Sequence, residues 1–148
     1  MTKIWGPVIW DLIHGLTIKI DESFFLKNIH NVLNLFNNIL TTLPCPECSS
    51  HSLSVYKSNV SKINNKKKLV SFFHYLHNEV NKKLKKKIMD TSVLERYKKL
   101  DMKTVVIKWI NVENDIKNVP KLMAVSMNNK FIKKKIILYI KNNINNFF

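Results

Sequence analysis

An all-α fold is predicted by two features of this 148-residue chain. Only two glycines and four prolines occur in it, and three of the prolines are Pro7, Pro44 and Pro46, so the turn punctuation of a β protein is missing. Apolar residues instead recur at about 3.6-residue intervals in one segment after another. The expected architecture is a four-helix bundle with a short fifth helix, followed by a helical C-terminal extension.

The first helix is read from Ile4, Val8, Leu12, Ile13, Leu16 and Ile20, with Trp10 and His14 four residues apart on an adjoining stripe. Asp21-Glu22-Ser23 supplies capping and acidic groups for a second helix. That helix is expected to run unbroken through Phe25, Ile29, Val32, Leu33, Phe36, Ile39, Leu40 and Leu43, stopping at Pro44. Pro46 suits a first helical turn, where its missing N–H would be unpaired anyway, so Cys45 lies at or just before a third helix reaching Tyr56 or Lys57. A basic connection over residues 58–68 leads to a fourth helix, Leu69 to Lys87, through Phe72, Phe73, Leu76, Val80 and Leu84. Residues 92–100 give the short fifth. Beyond lie Val105-Val106-Ile107, Trp109 and, past Pro120, a basic and apolar stretch from Phe131 to Ile144.

Apolar residues make up 45% of the chain and aromatics 10%, which excludes global disorder despite 25 Lys+Arg against 10 Asp+Glu and a net charge of +15. No apolar run reaches the roughly 18 residues of a membrane helix. The opening Met1-Thr2-Lys3-Ile4-Trp5-Gly6-Pro7 lacks the charged-then-apolar order of a signal peptide. A soluble protein of the compartment that makes it is expected, without membrane association. The charge alone attracts phosphates, so a basic nucleic-acid-binding protein is an alternative, although the lysines are spread and no nucleic-acid motif accompanies them.

The two cysteines stand together as Cys45-Pro46-Glu47-Cys48. That pair is too local to staple a fold that has its own core, so its role is chemical. At a helix N-terminus the unpaired N–H groups stabilise a thiolate, and the C-x-x-C spacing lets the sulfurs pair with little backbone movement. Thiol–disulfide exchange is the expected chemistry. The alternative is half of a structural zinc site, with Cys45, Cys48 and His51 joined by His14, His74 or His77. A thioredoxin-like arrangement is disfavoured because no βαβ unit is visible.

Three motifs frame the dithiol: Gly6-Pro7-Val8-Ile9-Trp10-Asp11-Leu12-Ile13-His14 before it, Pro44-Cys45-Pro46-Glu47-Cys48 containing it, and His77-Asn78-Glu79-Val80-Asn81-Lys82-Lys83-Leu84 after it. In that order they closely resemble the Erv/ALR family of FAD-linked sulfhydryl oxidases over roughly residues 4–100. The resemblance implies a helical bundle holding FAD at its mouth over residues 1–100, with residues 101–148 an extension of unassigned role. It makes Cys48 the flavin-proximal sulfur and Cys45 the one attacked by a client thiolate, leaving a mixed disulfide that Cys48 resolves. Electrons would pass from Cys48 to the flavin and on to oxygen, giving hydrogen peroxide.

The resemblance also implies a cofactor cage. Gly6 would allow close backbone approach, and Trp10 would offer a flat face, although a helical Trp is commonly core. His14, one turn on from Trp10, could hydrogen-bond the cofactor, His51 would point toward the same mouth, and His77, Asn78 and Asn81 fall within one helical turn. For the phosphates the motif indicates Lys86, while helical periodicity from Asn78 favours Lys85. Tyr97 would close the adenine side from the fifth helix.

Departures from the family pattern are also visible. Pro7 replaces the arginine that usually follows the first glycine, with Lys3 a substitute charge. The positions of a structural disulfide found in cellular members align with His74 and Thr91. The tail could form a basic amphipathic helix from Phe131, Ile132, Ile136, Ile137 and Ile140 with Lys133, Lys134, Lys135 and Lys141; packing of that helix on the core or across a dimer is the favoured reading. A homodimer, thiol-bearing protein clients such as virion proteins, and an origin in a large DNA virus with residence in host cytoplasm or virion complete the expectations.

Overall fold

Among the described residues every regular element is helical, as the scarcity of Gly and Pro predicts. The computed structural model describes residues 2–116 and 123–148, with side chains over 5–112 and 129–148. The helices are α1 (Thr2–Lys19), α2 (Glu22–Lys27), α3 (Ile29–Thr41), α4 (Pro46–Asn59), α5 (Lys66–Lys83), α6 (Leu94–Lys98), α7 (Met102–Ile116) and α8 (Met123–Asn142). None is long and apolar enough to cross a membrane, among the described residues.

The core is made by the stripes the periodicity marks. Leu12, Ile13 and Leu16 of α1, Val32, Phe36, Ile39 and Leu40 of α3, and Leu69, Phe73 and Leu76 of α5 are fully buried. Phe36 and Phe73, with ring centroids 4.7 Å apart, join α3 to α5, and truncating either to alanine would cost about 3–5 kcal/mol. Helix α1 packs against α5, α6 and α7, while α4 bridges α3 and α5. Fully buried Trp109 anchors α7. Gly15 makes room for the start of that helix, because a Cβ there would collide with the Met102 thioether.

Helix α4 runs on to Asn59 and α5 begins at Lys66, small shifts from the expected ends, and two boundaries differ more. The second helix is broken at Asn28, whose backbone leaves the helical region (φ −127°, ψ 32°) and whose side chain donates to the Phe24 carbonyl at 3.0 Å. A short polar side chain that bonds the preceding turn competes with helix continuation, so the chain restarts as α3. Asp21 caps α2 as expected, accepting from Phe24 N–H at 2.9 Å. The fourth helix ends at Lys83, short of Lys87, in a Schellman turn: Lys86 N–H bonds Asn81 O at 2.8 Å and Lys85 N–H bonds Lys82 O at 3.1 Å. Lys85 takes the left-handed position normally given to glycine, at φ 58°.

The C-terminal helix packs on the bundle, as favoured. Ile136 and Ile140 are buried against α3, and Phe147 is fully buried with its ring 5.8 Å from Phe24. The Lys133 ammonium stands 4.8 Å over the Trp109 ring. Backbone bonding ties the same end down, Asp21 N–H to Asn146 O at 2.8 Å.

Candidate active site

Cys45 is the N-cap of α4. Its extended backbone (φ −96°, ψ 112°) turns into a helix that opens with Pro46, and its Sγ accepts the Cys48 N–H at 3.2 Å. The cap sulfur and the sulfur one turn on have different surroundings. Cys45 is partly exposed, whereas Cys48 is buried and lines a cavity of about 390 Å³. Burial, with the neighbouring Cys45 thiol, pushes the Cys48 thiol up to about 12, only partly offset by Lys83. For Cys48 in the reduced pair, burial works against the thiolate that a helix N-terminus favours.

An aromatic wall lines the same cavity as the Cys48 sulfur. Trp10 of α1 and His77 of α5 stack with centroids 3.9 Å apart and planes 9° from parallel. His14, one turn along α1 from Trp10, is fully buried and bonds His77 through His14 Nε2 and His77 Nδ1 at 2.9 Å, while Tyr97 of α6 stacks on His14 at 4.4 Å. Burial lowers both imidazoles to about 3, reinforced by His77 for His14 and by His74 for His77. Both rings are thus neutral at pH 7, and one must donate to the other. His14 Nδ1 is buried without a partner. An unfilled lone pair there costs less than an unsatisfied N–H, so the arrangement favours His14 Nε2–H donating to His77 Nδ1. His77 then carries its own proton on Nε2 as a donor.

The sequence-derived residues divide clearly. Gly6, Trp10, His77, Asn81, Lys86 and Tyr97 line the cavity. A Cβ at Gly6 would meet no atom within 4 Å, so that position stands open. His14 is not in the lining and acts behind His77. Asn78 is not there either: its side-chain amide donates to Met89 O at 3.0 Å and accepts from Met89 N–H at 2.9 Å. Its helical register turns it toward the loop after α5, which it latches down. This non-covalent tie joins the segments of His74 and Thr91, where the resemblance indicated a missing disulfide. Lys85 is outside the lining because the left-handed turn diverts it, which leaves Lys86 as the lysine of the two at the cavity. His51 is also outside the lining, with its Nε2 buried and unpartnered. The Lys3 side chain lies outside the described residues.

Other lining residues escaped the sequence reading. Trp5 is 5% exposed, lines the cavity and carries a buried indole N–H without a partner. Its place immediately before Gly6 was the available signal. Arg96, the sole arginine, lines the cavity, pairs with Asp11 at 3.1 Å and stands 5.1 Å over the Tyr97 ring. Ile9, Leu43, Val80, Leu84 and Met89 give the cavity its apolar side, and Ser52 lines it with a buried hydroxyl that has no partner. Among the described residues no group of three or more His, Cys, Asp or Glu is arranged to hold a metal ion.

Comparison with known proteins agrees with this arrangement. The Erv1 / Alr family model matches residues 7–103. A protein of African swine fever virus named FAD-linked sulfhydryl oxidase is 29% identical over 102 residues, covering 68% of this chain and 86% of the relative. Its counterpart in a second isolate is 31% identical over 88 residues, covering 60% and 74%. A rice protein, FAD-linked sulfhydryl oxidase ERV1, is 28% identical over 97 residues, covering 65% of this chain and 50% of its own length. No solved structure matches. With three motifs in order, a C-x-x-C sulfur at an aromatic cavity and a family match over most of the bundle, the chain belongs to the Erv1/Alr family.

Proposed function

We propose that this chain is an FAD-linked sulfhydryl oxidase, encoded by a large DNA virus, that makes disulfides in protein clients and passes the electrons to oxygen. The observation that carries the reading is the division of the dithiol: Cys48 opens into the cavity, while Cys45 is partly exposed and outside its lining. Family membership and the names of the viral and rice relatives support the same reaction class.

The cavity suits the cofactor. Its volume of about 390 Å³ lies in the range of cofactor sites, its wall is a flat stacked pair, Gly6 leaves open space, and the Trp5 indole N–H lacks a partner. Gly6, Trp10, His77, Asn81, Lys86 and Tyr97 would hold it, with Trp5 as an added donor and Lys86 and Lys87 as cations for phosphate. When bound, FAD supplies a two-electron acceptor for the reduced dithiol and a route for the pair to oxygen, with hydrogen peroxide as product.

The chain's own residues do the thiol chemistry. A client thiolate attacks Cys45 Sγ of the Cys45–Cys48 disulfide; that bond breaks, a client–Cys45 disulfide forms and Cys48 leaves. Attack by Cys48 on this bond would only restore the starting disulfide. Release is therefore assigned to the client's second thiolate, which displaces Cys45 and leaves both cysteines reduced. The high proton affinity of buried Cys48 means that it must lose its proton as it is reoxidised. His14 holds the His77 ring through Nδ1 and so keeps its donor in place.

In this reading residues 1–100 form the catalytic part and residues 101–148 an extension, the enzyme pairs as a homodimer, and its clients include virion proteins. A virus-encoded oxidase would allow disulfides in a host cytoplasm that keeps thiols reduced. The test is the visible spectrum of the purified protein before and after dithiothreitol under air, with oxygen uptake. Flavin bands that bleach, recover and consume oxygen are expected. A colourless protein that stays inert after incubation with FAD refutes the proposal.

A further inference from the structure

We propose that the outward face of α8 beside the dithiol is a docking surface for client polypeptides, selecting an acidic segment that carries an apolar side chain. This rests on the oxidase reading and names the thiols that site prefers. Helix α8 runs antiparallel to α3. Asn129, itself 5% exposed, donates to Thr42 O at 3.1 Å, while Ile136 and Tyr139 share a groove with Asn31, Asn34 and Leu35 further back along α3. Thr42 is three residues from Cys45, a span of at most about 11 Å. The turn of α8 that holds Asn129 is therefore tied to the segment that leads into Cys45, the sulfur that meets the client.

From that point Lys130, Phe131, Lys134, Lys135 and Leu138 are exposed at spacings of three and four, on one helix face. Phe131 is 64% exposed and Leu138 57%, and the Lys135 ammonium stands 4.8 Å over the Phe131 ring. No Asp or Glu follows Asp115 in the sequence, so α8 carries no acid that would neutralise this stripe. On the dithiol rim the exposed acid is Glu47. The family match ends at residue 103, so the face lies outside the part of the chain that the family model covers.

The mixture of side chains selects the partner. A nucleic-acid backbone would reward the lysines and leave Phe131 and Leu138 in water. A second copy docked face to face here would set Lys130, Lys134 and Lys135 against their own counterparts, so this face is not the one used for the proposed pairing. An acidic polypeptide segment with a Leu or Phe satisfies both components, and the cationic field raises its encounter rate.

The experiment uses the full FAD-loaded chain with dithiothreitol and with two-cysteine peptides flanked by Glu-Glu-Leu or by Gln-Gln-Leu. At low salt the acidic peptide should show a kcat/KM about tenfold or more above the neutral one, a range open to electrostatic steering. In 1 M salt, where the screening length is about 3 Å, that ratio should fall toward one. The variant Lys130→Glu/Lys134→Glu/Lys135→Glu should abolish the preference with dithiothreitol turnover unchanged, and Phe131→Ser should lower kcat/KM for both peptides alone. Wild type that oxidises dithiothreitol but treats the peptides alike, or a triple variant that keeps the preference, overturns the docking proposal. A triple variant that loses only retention on duplex DNA assigns the face to nucleic acid and overturns it too. Wild type inert toward dithiothreitol refutes the oxidase reading itself.

Discussion

Lowering the pH from 7 to 5 should destabilise this protein through its paired imidazoles. Burial lowers His14 and His77 from 6.5 to about 3. In the unfolded chain both take up protons below about 6.5, whereas in the folded chain they refuse them until about 3. The unfolded state therefore binds more protons across that window, and stability falls as pH falls. The stabilisation is fully present above about 6.5 and lost progressively on the way down. Integrating between pH 7 and pH 5 gives about 2 kcal/mol for each imidazole, and about 4 kcal/mol for the pair as an upper value. A folded value of 4 instead of 3 would change either figure by less than about 0.1 kcal/mol, so the result does not depend on the depth of the shift. The assay is urea unfolding without added flavin at both pH values, comparing wild type with His14→Gln/His77→Gln. The difference between the two proteins cancels carboxylates and the remaining histidines. Wild type should lose about 2–4 kcal/mol more than the variant; equal pH dependence would refute the neutral, mutually bonded pair.

Other substitutions separate roles that share one neighbourhood. Asn78→Ala removes two hydrogen bonds to Met89, which should cost about 2–3 kcal/mol and speed tryptic cleavage in the Lys85-Lys86-Lys87 segment; an unchanged cleavage rate would argue against the latch. Lys85→Gly relieves the left-handed position and should stabilise the fold by about 0.5–1 kcal/mol, with no loss of flavin affinity. Lys86→Ala should weaken flavin binding severalfold at unchanged stability, and equal behaviour of the two lysine variants would contradict their different placement. Cys48→Ser and Cys45→Ser should each keep the flavin and lose turnover by at least about a thousandfold; activity retained in either would sink the assigned roles.

Much of the bundle was legible because its signals are local. The apolar stripes of α1, α3 and α5, the Asp21 cap and the Cys45–Pro46 helix start each depend on residues within a few positions of one another. The break at Asn28 was not, since the apolar period continues across it and the chain is rich in asparagines that interrupt nothing. Nor was the left-handed Lys85, where the Schellman turn that ends α5 takes a conformation that the side chain disfavours and no glycine marks the place. At the site, the presence of Trp10 and His77 followed from motifs on α1 and α5, but their stacking on one another did not. The outward turn of Asn78 is instead set by the Schellman exit of α5 and the loop it meets, neither of which has a sequence signature. Trp5 and Arg96 reached the cavity through the packing of α1 and α6, a contact no spacing rule encodes.

The bond from Asn129 to the Thr42 carbonyl spans 87 positions of sequence, and that from Asp21 to Asn146 spans still more. Contacts so distant form late, because the chain must close a long loop before they repay the entropy. Helices α2 to α5 meet as sequence neighbours, α2 with α3, α3 with α4 and α4 with α5, and can assemble while α8 is still being made. The corner that carries the cysteines therefore gains its final brace after the rest of the site has formed. A chain interrupted before α8 would keep its dithiol and leave the Thr42 carbonyl without the Asn129 bond, so synthesis of α8 is itself a step in finishing the redox corner.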